Sequence, residues 1–309
     1  MTAASAAIGV PYRLLWLAAG GHPHPYDVVA RKAVVLQHVG RLPESETLVR
    51  SNRERAAAAG DRGRLASCDM MLGKIVWQQG DQRTALARFG DAAREFAAIG
   101  DDRGLAESRL ATGGVQYELG EYDAAMAMLE QSLAHAVASG NCRLRCDALN
   151  NLALVRWSRS DLPGALEMFR EVCARGGELG DPMVVINGTC NLAFIHEDRR
   201  DLPQALRSLE QGLALARRIG HPALTATTLG HLARIHRDAG QWPEAEGYCR
   251  QRLALAEERG LSRDRAFARH ALGQVELDSG RSGAARNDLE LAASLLGDLG
   301  LREDLCQCR

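Results

Sequence analysis

The sequence is poor in aromatic side chains, in lysine and in net charge. Phe, Trp and Tyr make up 5% of the 309 residues, too few large rings for a typical β-rich core. Lys32 and Lys74 are the only lysines, and the formal net charge is -1 without a long run of like charge. Neither nucleic acid nor an anionic membrane surface is therefore indicated as the main partner. The apolar stretch near the N-terminus is interrupted by Arg13 and too short to span a bilayer, which predicts a cytoplasmic protein.

Motifs for catalysis and metal binding are also missing. No nucleophile elbow, glycine-rich phosphate loop or metalloprotease helix appears in the sequence. The eight cysteines are far below the density of a disulfide scaffold, and Cys142 and Cys146 have no second pair at metal-ligand spacing. We therefore expect no enzyme activity, no cofactor and no metal site.

Glycine recurs at intervals of about twenty residues. One set shares a forty-residue phase and comprises Gly40, Gly80, Gly120, Gly240 and Gly280. A second set lies halfway between and comprises Gly20, Gly60, Gly100, Gly140, Gly180, Gly220, Gly260 and Gly300. Because glycine best adopts the left-handed conformation that ends a helix, each interval predicts one helix. Ser160 and Arg200 replace two of these glycines, so those turns are expected to be strained by about 1 kcal/mol or differently shaped.

Apolar residues within the intervals recur at helical spacing. In the first helix of each pair, helix A, a Leu and a Val or Ile three residues later form an apolar stripe. These pairs are Leu72 and Ile75, Leu152 and Val155, Leu192 and Ile195, Leu232 and Ile235, and Leu272 and Val275. In the second helix, helix B, an Ala precedes a larger apolar residue by four positions. These Ala residues are Ala85, Ala125, Ala165, Ala205, Ala245 and Ala285. Each lets the two helices approach closely, and a larger side chain there would cost about 1 to 3 kcal/mol.

The start of helix B is marked as well. A proline just inside it recurs as Pro43, Pro163, Pro203 and Pro243, where its missing N–H is harmless. Asp161 and Asp201 are suited to accept hydrogen bonds from the first backbone N–H groups. The first repeat is weaker, with Lys32 in place of the Leu and Ser45 in place of the Ala.

This pattern resembles the tetratricopeptide repeat family over nearly the whole chain. The resemblance is carried by the Leu with a small residue after it, by the Gly before helix B and by the Ala-x-x-x-Phe/Leu motif within it. The Leu-small pairs are Leu72-Gly73, Leu152-Ala153, Leu192-Ala193, Leu232-Ala233 and Leu272-Gly273. The forty-residue period exceeds the usual thirty-four of the family and is similar to the long-repeat type of kinesin light chains, Leu-Gly-Asn-repeat proteins and bacterial regulators.

The resemblance implies an all-α fold, a right-handed α-solenoid of about seven helix pairs with half-repeats at both ends. Residues 1–24 are expected to form an N-terminal capping helix or half-repeat. Residues 25–300 are expected to hold the seven repeats, with breaks near residues 60, 100, 140, 180, 220 and 260, and residues 301–309 to begin a C-terminal capping helix. The half-repeats leave open whether the chain is part of a longer array and whether it self-associates through its ends.

The A helices are expected to line the concave inner surface of such an array, where partners usually bind. We call the positions opposite their apolar stripe the A face. From the N-terminus these are Asp27, Arg31, Val34, His38; Ser67, Met71, Lys74, Gln78; Glu107, Ala111, Gly114, Glu118; Asp147, Asn151, Leu154, Ser158; Asn187, Asn191, Phe194, Asp198; Thr227, His231, Arg234, Asp238; Phe267, Ala271, Gln274, Asp278.

The middle of the A face is the predicted binding site for a peptide. Asn151 and Asn191 share a phase, and a carboxamide suits the alternating N–H and C=O groups of an extended peptide. Leu154 and Phe194 can contact an apolar side chain. The predicted set is Lys74, Glu118, Asp147, Asn151, Leu154, Asn187, Asn191, Phe194, Asp198, His231, Arg234 and Asp238. The alternative is that these residues only face water, with Arg234 and Asp238 binding each other.

Two further features bear on the partner. The A face has seven acids against three bases, Arg31, Lys74 and Arg234, which predicts a preference for a neutral or basic segment. Trp77, Tyr117 and Trp157 share a phase at its flank, and they either bind the partner or fill the seams between A helices. His196 and His236 are expected to pack with a side-chain hydrogen bond.

We derive two functional hypotheses. The first is a non-enzymatic scaffold that binds a protein or peptide segment in the groove. The second is the ligand- or peptide-sensing portion of a bacterial signalling or transcriptional regulator, in which binding shifts a distant domain. An effector domain in the same reading frame would favour the second hypothesis.

Overall fold

The computed structural model describes residues 25–38 and 41–298, and the predicted capping segments 1–24 and 301–309 lie outside them. The described residues form fourteen α-helices and no strand. The predicted all-α fold is therefore confirmed. The chain divides into two compact units at Arg159 and Ser160.

Unit 1 holds seven of the helices, which alternate between the A and B positions. They are α1 (Pro25–His38), α2 (Leu42–Ala58), α3 (Arg62–Gln78), α4 (Gln82–Ile99), α5 (Asp102–Glu118), α6 (Tyr122–Ala138) and α7 (Cys142–Ser158). Each helix packs on the next, and the A helices α3, α5 and α7 also contact one another in sequence. The stacked helix pair is thus the building unit, as predicted.

Unit 2 begins with a B helix and repeats the same order. Its helices are α8 (Leu162–Glu178), α9 (Pro182–Asp198), α10 (Leu202–Arg218), α11 (Pro222–Asp238), α12 (Trp242–Arg259), α13 (Ser262–Asp278) and α14 (Ser282–Asp298). The A helices α9, α11 and α13 contact one another in sequence.

The left-handed turns explain the glycine spacing. Gly100 and Gly260 end α4 and α12 with φ of 69° and 66°. Ser160 and Arg200 adopt the same conformation, with φ of 65° and 60°. The turns at Ser160 and Arg200 are therefore strained and not differently shaped.

The helix starts follow the predicted chemistry. Asp161 accepts a hydrogen bond from the backbone N–H of Gly164 at 3.0 Å, and Asp201 accepts one from Gln204 at 3.2 Å. Proline lies at the first or second position of α2, α8, α10 and α12. Leu261, which precedes α13, offers no capping side chain.

The crossing of helices A and B is as tight as the alanines predict. The six alanines of helix B are at most 1% exposed. At Gly73 in α3, an added Cβ would lie 2.4 Å from the fully buried ring of Phe89 in α4. In the weaker first repeat, Ser45 is buried and its hydroxyl donates to the carbonyl of Ala33 at 2.9 Å, so the substitution is accommodated by a hydrogen bond.

Candidate functional site

The A face of unit 1 shows how neighbouring A helices are aligned. The indole N–H of Trp77 in α3 donates to Glu118 Oε2 in α5 at 2.6 Å, across 41 residues. The hydroxyls of Tyr117 in α5 and Ser158 in α7 lie 3.0 Å apart, also across 41 residues. The same offset in two successive pairs shows that α3, α5 and α7 keep one register.

The two aromatics at these contacts fill seams. The Trp77 ring lies edge-on to Phe89 with centroids 6.4 Å apart, and an added Cβ at Gly114 would lie 3.2 Å from Trp77 Cη2. Tyr117 packs against Tyr122 at 5.8 Å between centroids. These contacts favour the packing alternative for both residues, whereas Trp157 is half-buried on α7.

The remaining predicted residues of unit 1 lie on α3 and α7. Lys74 is exposed on α3. Asp147, Asn151 and Leu154 follow one face of α7 at helical spacing, and all three are half-buried. Arg143 donates to Asp147 at 3.2 Å, and Asn150 Nδ2 lies 3.4 Å from Asn151 Oδ1. The carboxamide oxygen of Asn151 thus already accepts a long hydrogen bond from a residue of its own helix.

In unit 2, three predicted residues form one cluster. The rings of Phe194 in α9 and His231 in α11 meet edge to face, with centroids 4.8 Å apart at 87°. The guanidinium of Arg234, one turn along α11, lies 5.4 Å from the centre of the Phe194 ring. The cluster gives α9 and α11 a half-exposed surface that is partly aromatic and partly cationic.

Sequence reasoning missed the main partner of Arg234. Glu197 in α9 accepts two hydrogen bonds from its guanidinium, at 2.7 and 2.6 Å, across 37 residues. Asp238, the predicted partner, is a further acceptor at 3.3 Å. Arg237 was also missed, and it binds Asp238 at 2.9 Å and Gln274 in α13, the latter again across 37 residues. Offsets of 37 and 41 residues, which are three residues shorter and one residue longer than the repeat, are the signal that identifies such pairs.

A residue of helix B also reaches the A helices. A Cβ added at Gly230 in α11 would lie 2.6 Å from Nη1 of Arg252 in α12. The guanidinium of Arg252 also donates to Asp264 in α13 at 2.7 Å. Its side chain is 14% exposed. The Arg252 side chain therefore extends from α12 to contact both of these A helices.

His231 is neutral in this setting. Burial, and then the nearby charges of Arg234 and Arg252, lower the pKa of His231 from 6.5 to about 4. At neutral pH the imidazole therefore presents one donor and one acceptor, which are the groups that a peptide backbone requires.

The other predicted residues of unit 2 lie beside this cluster on α9. Asn187 and Asp198 are exposed and Asn191 is half-buried, and by helical spacing they share one face with Phe194. The structure thus brings Phe194, His231, Arg234 and Asp238 together and aligns the other three along α9. The unit 1 residues form a separate group on their own helices.

The acids of the A face are largely paired within the chain. Arg237 lies 3.7 Å from Asp278, and Arg103 binds Glu107 at 3.1 Å. Glu118, Asp147 and Asp238 have the partners given above, and the side chain of Asp27 lies outside the described residues. The predicted preference for basic segments therefore cannot be derived from a simple count of acids.

Other site types find no support in the described residues. No group of three His, Cys, Asp or Glu side chains that could hold a metal ion occurs there. None of the described helices has the length and apolar content needed to cross a membrane. Of the two histidines expected to pack, His236 stacks on Tyr248 and lies 2.6 Å from Gln241 Oε1, whereas His196 is buried without a partner for Nδ1.

Comparison with known proteins places this geometry among repeat proteins. A model of the tetratricopeptide repeat matches residues 184–258 and 224–297, which confirms the predicted resemblance there. No characterised protein matches the chain in the sequence comparison.

Three solved structures illustrate the similarity. The Rap conjugation gene regulator of the plasmid pLS20, in complex with the Phr* peptide, is 15% identical with a TM-score of 0.65, over 91% of this chain and 76% of that one. Aspartyl phosphate phosphatase F from Bacillus subtilis is 12% identical with a TM-score of 0.65, over 87% and 70%. A putative kinesin light chain from Podosopora anserina, with nearly identical TPR-like repeats, is 20% identical with a TM-score of 0.51, over 62% and 95%. At these identities the similarity establishes the fold alone.

Proposed function

We propose that this chain, an array of tetratricopeptide-type helix pairs, binds a segment of another protein across its A face without breaking a covalent bond. The observation that carries the proposal is the cluster of Phe194, His231 and Arg234. It is half-exposed, and each side chain is held by the others or by Glu197. A surface whose side chains are already fixed loses little conformational entropy when a ligand binds.

The cluster supplies two kinds of contact. The Phe194 ring offers apolar area that an apolar side chain of the ligand can bury. The neutral imidazole of His231 and the carboxamide of Asn191 offer donors and acceptors to a backbone, each contributing about 1 kcal/mol net. A ligand that runs along α9, α11 and α13 would thus be recognised mainly through its backbone and one apolar side chain.

We further propose that the segment is neutral or weakly basic. Asp198, Asp238 and Asp278 add negative charge to this part of the A face, but Arg234 and Arg237 offset much of it. Charge therefore contributes modestly to selection, and basic residues in the ligand should improve affinity by less than tenfold.

A related function is supported by one specific comparison. The similar Rap protein is a gene regulator, and it was solved with a bound peptide. By analogy, the A face here would bind a signalling peptide and the array would form the sensing portion of a regulator. The similarity to a phosphatase shows that the fold is also compatible with regulatory enzymes.

The proposal is tested by selecting ligands from a random peptide library displayed on phage, with the purified chain as the target. Dissociation constants of selected peptides are then measured by fluorescence polarisation for the wild type and for variants. We expect Phe194→Ala to weaken binding by about tenfold or more and Asn191→Ala by about fivefold.

Gln211→Ala is the matched control, because Gln211 is an exposed carboxamide on helix B. It should leave the affinity unchanged. Selected peptides that lose affinity with Gln211→Ala, and keep it with Phe194→Ala and Asn191→Ala, would show that the site is wrong. A peptide converted to product during the measurement would show that the chain is an enzyme.

A further inference from the structure

A pocket beside the B helix α8 differs in its side chains from the equivalent positions of other repeats. It has a volume of about 430 Å³ and is lined by Leu162, Pro163, Leu166, Glu167, Arg170 and Arg199. All six residues belong to unit 2, at the first half of α8 and the end of α9. The pocket is independent of the A face, since it shares no residue with it.

Arg170 lacks the ion pair that the arginines at its position in two other repeats form. Arginine recurs at this position as Arg50 in α2 and Arg250 in α12. Arg50 binds Glu46 at 2.6 Å, and Arg250 binds Glu246. In α8 the glutamate is replaced by Leu166, and Arg170 forms no ion pair within the described residues.

Arg199 has lost its partner in the same way. Its repeat equivalent, Arg159 at the end of α7, binds Asp123 at the start of α6 at 2.6 Å. The position of Asp123 is occupied by Pro163 in the next repeat. Within the part of the chain that the structure describes, Arg199 also forms no ion pair.

The first repeat shows what fits between these two positions. Glu46 accepts from Arg50 on one side and from Gln79 on the other, at 3.3 Å, and Gln79 is the repeat equivalent of Arg199. The hydrogen bond from Arg50 lowers the pKa of Glu46, so a carboxylate is held there in its ionised form. One carboxylate thus bridges the two positions that Arg170 and Arg199 occupy in α8 and α9.

We propose that this pocket binds an acidic side chain of a partner protein, whose carboxylate takes the place of the missing Asp and Glu. The geometry favours a carboxylate over a phosphate because the equivalent positions hold carboxylates. Glu167 reduces the net charge of the pocket lining to +1. It forms no ion pair with Arg170. Leu162, Pro163 and Leu166 form an apolar wall, so an apolar residue should neighbour the acidic one.

The test uses the full chain and a fluorescein-labelled Gly-Ser peptide that carries a single Leu-Glu-Leu motif. Its dissociation constant, from fluorescence polarisation, is compared with that of the same peptide carrying Gln for Glu. We expect the Glu peptide to bind about three- to tenfold more tightly. The preference should vanish in the double variant Arg170→Gln/Arg199→Gln and in Pro163→Asp, which supplies the carboxylate from within.

Arg50→Gln is the matched control and should keep the preference, because Arg50 already has its carboxylate. Phe194→Ala should also keep it, which separates this site from the A face. Equal affinities for the two peptides, or a preference that survives Arg170→Gln/Arg199→Gln, would overturn the proposal. So would a phosphoserine peptide that binds more tightly than the Glu peptide and is displaced by inorganic phosphate. Far-UV circular dichroism establishes that each variant is folded.

Discussion

The tight crossing at Gly73 predicts a substitution whose energetic cost depends on the side chain that it faces. Gly73 faces the fully buried ring of Phe89, and an alanine Cβ there would lie 2.4 Å from Cε1, where ordinary contacts begin at 3.4 Å. The ring would have to retreat by about 1 Å in a close-packed environment. At the same crossing in α9 and α10, Ala193 and Leu209 are both fully buried side by side. Alanine is therefore accommodated beside leucine in α9 and α10, whereas an added Cβ at Gly113 or Gly273 would lie 2.7 Å from Leu129 or Leu289.

The magnitude follows from two opposing effects. Overpacking of this kind costs about 1 to 3 kcal/mol. Alanine is favoured over glycine inside a helix by about 0.8 to 1 kcal/mol. We therefore expect Gly73→Ala to lower the free energy of unfolding by about 1 kcal/mol in the wild type. In a Phe89→Leu background the same substitution should lower the free energy of unfolding by less than in the wild type, because the smaller leucine side chain leaves more room for the added Cβ.

The measurement is a double-mutant cycle by urea unfolding, followed by circular dichroism and by tryptophan fluorescence, since Trp77 lies against Phe89. Gly90→Ala is the control: Gly90 is in α4 with no atom within 4 Å of an added Cβ, so it should stabilise both backgrounds alike. If Gly73→Ala changes stability equally in both backgrounds, the ring is not the obstacle and the reasoning fails. A coupling of up to about 1 kcal/mol between the two sites is expected.

Three further predictions concern a turn, a helix cap and a half-buried histidine. Arg200→Gly should raise the free energy of unfolding by about 0.5 to 1 kcal/mol, because relief of left-handed strain exceeds the added entropy of the unfolded chain. Gly220→Ala, at φ 63° in open space, should lower the free energy of unfolding. Urea unfolding measures both variants. Leu261→Asp should stabilise by about 1 kcal/mol by capping α13, also in urea, and no gain would contradict the capping argument. Because the folded pKa of His231 is lowered to about 4 from 6.5, the unfolded chain takes up the proton first as the pH falls. Stability should thus be lost between about pH 6.5 and about pH 4, with a shallower loss in His231→Gln across a pH series of urea midpoints; equal slopes would refute this assignment.

Most of the local structure was predictable because a single residue type determines it. Asp161 and Asp201 cap their helices as their chemistry requires, and Arg200 adopts the conformation of the glycine that it replaces. Such features depend on a few neighbouring residues and the backbone. They repeat wherever the same residue recurs at the same phase.

The pairing of side chains across repeats was less predictable. Comparison at the repeat length aligns equivalent positions, but contacts between A helices join residues one or three positions away from equivalence, as Trp77 and Glu118 or Glu197 and Arg234 do. The position of Arg252 could not be derived from phase at all. Its repeat equivalents include Ala92 and Gly212, both small, and only the missing side chain of Gly230 lets the guanidinium pass.

These cross-repeat pairs also determine what the A face can select. Arg234 and Arg237 neutralise Asp238 before any ligand arrives, so a basic ligand must compete with groups that are already hydrogen-bonded. An exposed ion pair of this kind contributes at most about 1 kcal/mol, and exchanging one partner for another gains less. The Phe194 ring and the neutral imidazole of His231 carry no net charge that an ion pair within the chain could neutralise. Selectivity at the A face should therefore follow shape and backbone contacts, whereas charge selectivity belongs to the pocket of Arg170 and Arg199, where the intramolecular carboxylates are missing.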